Sequence, residues 1–322
     1  MQRHLLWVSL ILTVSRSTWA HDEEAIRDSV ARAIPYIQTR GQSWIEEKKC
    51  ASCHRVHTML WSLTAASERG IRVDRALLEE TKKWNRESLL KLNEKSGKAE
   101  GASNLEAVSQ LVWASRKDLS EAGHSETRGE YLRLIREKQQ EDGLWKAGGQ
   151  LPSQKRPAEE GNLVSTMWNA LALGTVSHPD WQATRQRAMK RIVDSPPGES
   201  TEAVAVRLLL AVQSNSKLEQ EAGITELRKR QRSDGSWSWI GSSESDPLGT
   251  GMAIYALRTA GVFADDPGLS KAAEHLIGSQ TDEGEWQTAG TKTKAQGTPV
   301  ETSNYWGTCW AVIGLTSLID SE

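Results

Sequence analysis

Three copies of one seven-residue pattern, Gln-x-x-x-Gly-x-Trp, constrain this chain more than any other feature. They read Gln139-Gln140-Glu141-Asp142-Gly143-Leu144-Trp145, Gln231-Arg232-Ser233-Asp234-Gly235-Ser236-Trp237 and Gln280-Thr281-Asp282-Glu283-Gly284-Glu285-Trp286. Each copy follows a charged amphipathic stretch (131–138, 227–230 and 272–279), and glycine suits the sharp turn that ends a helix. A polar loop comes next, and then a nearly continuous apolar run: VSTMWNALAL (164–173), GTGMAIYAL (249–257) or GTCWAVIGL (307–315). A helix that is apolar around most of its circumference is buried on both sides. Each unit therefore reads as an outer amphipathic helix, a turn and an inner buried helix.

The remainder fits the same pairing with degenerate turns. Segment 23–38 pairs with 54–68, 75–93 with 104–115, and 181–193 with 201–213; with the three clear units this makes six helix pairs, enough to close a ring. Repeats that bury a face only against their neighbours propagate in this way. Length alone does not choose between one domain and two, whereas the pairing predicts a single domain over 21–322. It also gives a structural cause for fourteen tryptophans against one phenylalanine.

The three copies, each followed by an inner helix rich in small residues and tryptophan, resemble the QW repeats of squalene–hopene cyclases and the related prenyltransferase β subunits. The resemblance implies an all-α fold, an (α/α)6 toroid of concentric inner and outer helices. It also implies a structural role for Trp145, Trp237 and Trp286, each tying a turn to a neighbouring helix. The inner-helix aromatics Trp61, Trp113, Trp168, Tyr255 and Trp310 either line a central cavity or pack as plain core.

The chemistry of those families is not retained. Their cyclases protonate an alkene with an Asp-x-Asp-Asp segment, where the corresponding residues here are Asp246-Pro247-Leu248-Gly249. A strong, positioned acid needs neighbours that stabilise its ionised form, and Leu248 and Gly249 supply none. Their zinc-dependent transferases place a His before a Thr-Cys pair, where this chain has Gly307-Thr308-Cys309. Cys309 then reads as a small apolar residue. Glu159, Glu160, Asp246 and Glu301 read as charges favoured at helix N-termini.

The first unit departs from the pattern. In place of Gly-x-Trp it carries an insertion over 46–54 that ends Cys50-Ala51-Ser52-Cys53-His54, followed by the apolar Met59-Leu60-Trp61-Ser62-Leu63. Cys-x-x-Cys-His is the attachment motif of c-type haem. Two thioethers meet two vinyl groups on one porphyrin edge while the adjacent His reaches the iron. Cys50 and Cys53 are thus the expected haem c thioethers and His54 the proximal iron ligand. Three alternatives stay open: a Cys50–Cys53 disulfide, a redox-active thiol pair at a helix N-terminus, and a zinc site short of a fourth ligand. His57 and Met59 follow on the same helix and cannot fold over the far porphyrin face. Distal candidates are Met167 and Met252 on inner helices and His124, expected on the loop before the third pair; an unfilled position is the other outcome.

The compartment agrees with haem attachment. Met1-Gln2-Arg3, the apolar run Leu5–Val14 and Ser17-Thr18-Trp19-Ala20 read as a secretory signal cut after Ala20. The run is about ten residues, half of what a membrane-spanning helix needs. The product is expected to be soluble, without a transmembrane segment after cleavage, and periplasmic or extracellular. Formal charge is −2, which gives no support for nucleic-acid binding. The polar stretches 148–161 and 288–302 are expected to cover one mouth of the ring. Expected partners are a redox protein or a small hydrophobic ligand. The sequence thus points to an exported haem protein on a cyclase-like scaffold. Its alternatives are a cofactor-free toroid holding an apolar or extended ligand, and a degenerate terpenoid cyclase.

Overall fold

The computed structural model describes residues 14–52, 55–95, 97–116, 122–148, 158–241, 244–290 and 297–320, with side chains from 23 onward and without those of 122–125. Twelve α-helices occur among the described residues, in six outer–inner pairs. They are α1 (Val14–Lys48) with α2 (Val56–Glu68), α3 (Arg75–Leu90) with α4 (Leu105–Ala114), and α5 (Ala122–Glu137) with α6 (Ala158–Leu173). Then come α7 (Pro179–Val193) with α8 (Thr201–Gln213), α9 (Lys217–Arg230) with α10 (Pro247–Thr259), and α11 (Pro267–Ser279) with α12 (Glu301–Leu318). The even-numbered helices touch in sequence, and α12 closes the circle on α2. The expected all-α toroid is the observed fold.

Local chemistry sets the helix starts. Asn104, Ser200, Asp246 and Asp266 each accept a backbone N–H of the first turn of α4, α8, α10 and α11, which satisfies donors that a helix leaves unpaired. Two boundaries differ from expectation. Helix α1 continues through the expected cut after Ala20 and on to Lys48, so residues 46–48 belong to the helix and the insertion proper begins at Lys49. Ile45 packs against the core and Trp44 lies under the Arg55 guanidinium, 4.5 Å from ring centroid to Cζ; these contacts reward the extra turns.

Each QW turn is held in three directions. The indole Nε1 of Trp145, Trp237 and Trp286 donates to Ile135 O, Leu227 O and Leu276 O at 2.8, 2.7 and 2.7 Å. These carbonyls lie in the last turn of α5, α9 and α11; Ile135 O and Leu227 O also accept a cap N–H, and the indole takes the remaining lone pair. The backbone N–H of each Trp donates to the Oγ1 of Thr166, Thr250 or Thr308 on the inner helix, 3.0 Å away in every copy. The Gln reaches the next unit: Gln139 Nε2 donates to Thr184 O of α7 at 3.0 Å and Gln231 Nε2 to Gly268 O of α11 at 2.7 Å. Gln280 Nε2 donates to Ser29 O of α1 at 2.9 Å. The third copy therefore joins the last outer helix to the first.

The turn glycines have φ of +87°, +88° and +86° at Gly143, Gly235 and Gly284. A Cβ on Gly284 would stand 2.1 Å from Arg32 O, whereas one on Gly143 would stand 3.0 Å from Arg187 O. The left-handed conformation alone costs an L-residue about 1–2 kcal/mol. In urea unfolding, Gly143→Ala should lose roughly that amount and Gly284→Ala distinctly more, about 3 kcal/mol or above, because α1 must move off α11. Equal losses would mean that the α11–α1 junction is not the tight one.

Candidate functional site

Because every outer helix is followed by an inner one, the six inner helices run the same way and start at one mouth of the ring. Outer helices start at the opposite mouth. Carboxylates gather at the inner-helix starts, as expected for helix N-termini, and three of them hold neighbouring protein groups. Glu160 accepts from the backbone N–H groups of Glu199 and Ser200, both at 2.9 Å, which fixes the start of α8. Glu202 accepts from Trp168 Nε1 at 2.9 Å. Asp246 accepts from Gly249 N at 2.7 Å with Oδ1 and from Trp239 N at 3.0 Å with Oδ2.

Asp246 is therefore a brace. Asn162 and Asn304 fill the corresponding place before Thr166 and Thr308, accepting from Ala147 N at 2.9 Å and Thr288 N at 2.8 Å. The amide oxygen there accepts one N–H, the counterpart of the Trp239 bond alone, whereas Asp246 uses its second oxygen to cap α10. Gly249 has no room for an acidic side chain either, since a Cβ there would meet the Ser238 carbonyl carbon at 2.8 Å. Gly307 is equally closed: its Cβ would lie 2.0 Å from Thr288 Oγ1. Burial pushes the Cys309 thiol up to about 12, opposed by hydrogen bonds with Ser62, Thr58 and Tyr305. The protonated thiol is a core group rather than a metal-binding thiolate.

The insertion leads straight into α2. Lys49 adopts φ of +49°, and Cys50 is half-buried on the short loop that follows α1. Cys53 and His54 lie outside the described residues. Their neighbours are firmly held: Asn85 Nδ2 donates to Ala51 O at 3.2 Å, and the Ser52 and Ser103 hydroxyls are 2.9 Å apart. Arg55 is buried, 3% exposed, between the rings of Trp44 and Tyr305. It donates to both carboxylate oxygens of Glu301, with Nη1 at 2.7 Å from Oε1. Sequence reasoning missed this node. Arg55 follows the motif directly, but Glu301 is 246 residues away and no local signal joins them.

The distal candidates fare poorly. Met167 is 0% and Met252 2% exposed, both enclosed in the core. At 1.5 Å rise per residue they sit roughly 13 Å and 8 Å below the inner-helix starts, so a haem at the rim would have to displace packed interior to reach them. His124 falls in the first turn of α5 instead of a loop, and an outer helix begins at the mouth opposite the insertion. His57 is buried, its ring edge-on to Trp306 at 6.5 Å between centroids.

The inner aromatics plug the ring. Trp61 lies 5.2 Å from Tyr255, 5.1 Å from Trp310 and 6.2 Å from Trp168 between ring centroids. Trp113 Nε1 donates to Tyr255 Oη at 2.9 Å across the ring. Core packing is thus the main role of these five, although Trp61 and Tyr255 also show an edge to a cleft at the far mouth.

No family model matches the chain. A 95-residue stretch is 35% identical to a squalene–hopene cyclase of Bradyrhizobium diazoefficiens, over 28% of this chain and 14% of that protein. A polysaccharide lyase superposes with a TM-score of 0.61 at 12% identity, over 92% of this chain and 97% of the other. An unsaturated glucuronyl hydrolase from Streptococcus agalactiae superposes with a TM-score of 0.55 at 13% identity, over 97% and 93%. At such identities the structures share the toroid alone, and the cyclase match is a partial one.

Asp246→Asn, with one acceptor oxygen for two N–H groups, should lose about 1 kcal/mol in thermal unfolding, and Asp246→Ala, which removes cap and brace together, about 2 kcal/mol. An Asn variant as stable as the parent would show that one of the two bonds carries no weight. In a Cys50→Ser/Cys53→Ser background, a thiolate-selective reagent at pH 8 should modify Cys309 only after unfolding; fast labelling of the native protein would contradict the raised thiol.

Proposed function

We propose that this chain is an exported c-type haem protein that uses a cyclase-like toroid as a scaffold and carries one haem at the mouth where the inner helices start. The observation that carries the reading is Cys50-x-x-Cys53-His54 on the link from α1 into α2. There a covalent group would meet a loop braced by Asn85, Ser103 and the Arg55–Glu301 pair. Cys50 and Cys53 would form the thioethers and His54 would ligate iron. Bound there, the group would supply one-electron or small-ligand chemistry. With Met167 and Met252 enclosed and His124 at the opposite mouth, the far side of the iron is taken to be open to a small ligand or water. Export follows from the leader ending at Ala20, and the partner class is a redox protein. The commitments of Asp246 and the closed space at Gly249 and Gly307 weigh against the cyclase and transferase readings.

The test is expression with the leader in a host that matures c-type cytochromes. The expected result is an intact mass beginning at His21 and heavier by one haem, a sharp α band on reduction, and a spectral shift when carbon monoxide is added to the reduced protein. Cys50→Ala and Cys53→Ala together should remove the covalent haem. A mature chain lacking that mass, or two hydrogens lighter through a Cys50–Cys53 disulfide, sinks the proposal. Insensitivity to carbon monoxide would restore a protein-derived sixth ligand.

A further inference from the structure

A cleft of about 550 Å3 opens at the mouth opposite the insertion, between the C-terminal halves of α2 and α4. Its volume is in the range of small-molecule sites, roughly 300–1,000 Å3. It runs from the aromatic plug at the ring axis outward between α3 and α5. The inner part is apolar, built by Leu60, Trp61, Leu111, Val112, Tyr255 and Ile313. The outer part is cationic: Arg69, Lys82, Arg86, Arg116 and Arg128 face it, against Glu68 and Glu79.

The charges are not all cancelled within the wall. Lys82 and Glu79 form an ion pair at 2.9 Å and remove one of each sign. Arg69 Nε donates to Ile319 O at 2.7 Å, and Arg116 Nη1 donates to Trp113 O at 2.8 Å. A guanidinium has five N–H groups in a fixed fork, so one carbonyl orients the group and leaves donors to spare. Arg116 also lies over the Trp113 ring at 4.0 Å, which limits its rotamers. Arg86 lies on the outer wall near Tyr131, whose hydroxyl burial holds neutral and able to donate.

We propose that this cleft binds an organic anion with an apolar body, its carboxylate between Arg86 and Arg116 and its hydrocarbon part against Trp61 and Ile313. Apolar burial supplies affinity, and the two guanidiniums select charge, which a neutral chain of the same length cannot use. The site opens at the other mouth from the proposed haem, and Asn85, which lines it, also holds Ala51 O of the insertion.

Octanoate and octan-1-ol distinguish the parts of the proposal in isothermal titrations at low salt. The parent should bind octanoate about tenfold or more tighter than octan-1-ol. Arg86→Gln, a partly exposed change, should weaken octanoate about fivefold and leave octan-1-ol unchanged. Ala65→Phe, which fills the inner cleft, should abolish binding of both with helical circular dichroism retained. Equal affinity for acid and alcohol, no effect of Arg86→Gln, or octanoate binding that survives Ala65→Phe would each overturn the site. If Ala65→Phe fails to fold, the Arg86→Gln comparison decides alone.

Discussion

The ring depends on one hydrogen-bonded turn used repeatedly. A Trp indole donates to a carbonyl in the last turn of the outer helix, the backbone of the same residue donates to an inner-helix Thr, and a Gln four residues before the glycine fastens the next unit. An outer helix cannot bury its apolar stripe alone, so such links decide whether the pairs assemble in register. They also explain the aromatic composition. Trp113, Trp145, Trp168, Trp237 and Trp286 all donate an indole N–H inside the protein, a contact phenylalanine cannot make. The lone phenylalanine, Phe263, is 78% exposed.

Six inner helices running in one direction bring their N-termini together around the axis at one mouth and their C-termini together at the other, inside a ring of outer helices of opposite polarity. At the starting mouth the partial positive charge is met by Glu106, Glu159, Glu160, Glu202 and Glu301 in the first turns. At the other mouth the last carbonyls are met by arginines: Arg128 donates to Ser115 O at 2.7 Å, Arg185 to Ala170 O at 3.2 Å and Arg258 to Ser317 O at 2.9 Å. Each such contact contributes about 0.3–1 kcal/mol. Charge is therefore sorted by helix end: acids stand at the inner-helix starts, while the last turns of the surrounding outer helices bring Arg136, Lys190, Arg191, Arg228, Lys229 and Arg230 to the same mouth. The cationic cleft is a by-product of that polarity, with an apolar floor added.

The repeat pattern made the architecture legible, down to Thr201–Gln213 as an inner helix, because the three turns are local in sequence and chemically explicit. Interactions that bring distant residues together were not legible. Nothing near Arg55 announces Glu301, and nothing near Trp168 announces Glu202; both pairs arise only when neighbouring units dock. His124 was misplaced because polar residues 122–130 look like loop until α5 packs on its neighbours. The repeat pattern assigns the five aromatics to inner helices and leaves open whether they line a cavity or pack as core. Whether five large rings leave a bore or fill it is a matter of ring diameter, which no single helix encodes.

The Gln280–Ser29 bond bears on how such a molecule is defined. The junction between α11 and α1 uses the same side chain, the same acceptor type and the same turn as the junctions inside the chain. Around the circle no unit is first. The order of neighbours specifies the fold, and the point at which the polypeptide opens is, for the packing, an arbitrary cut in a closed loop.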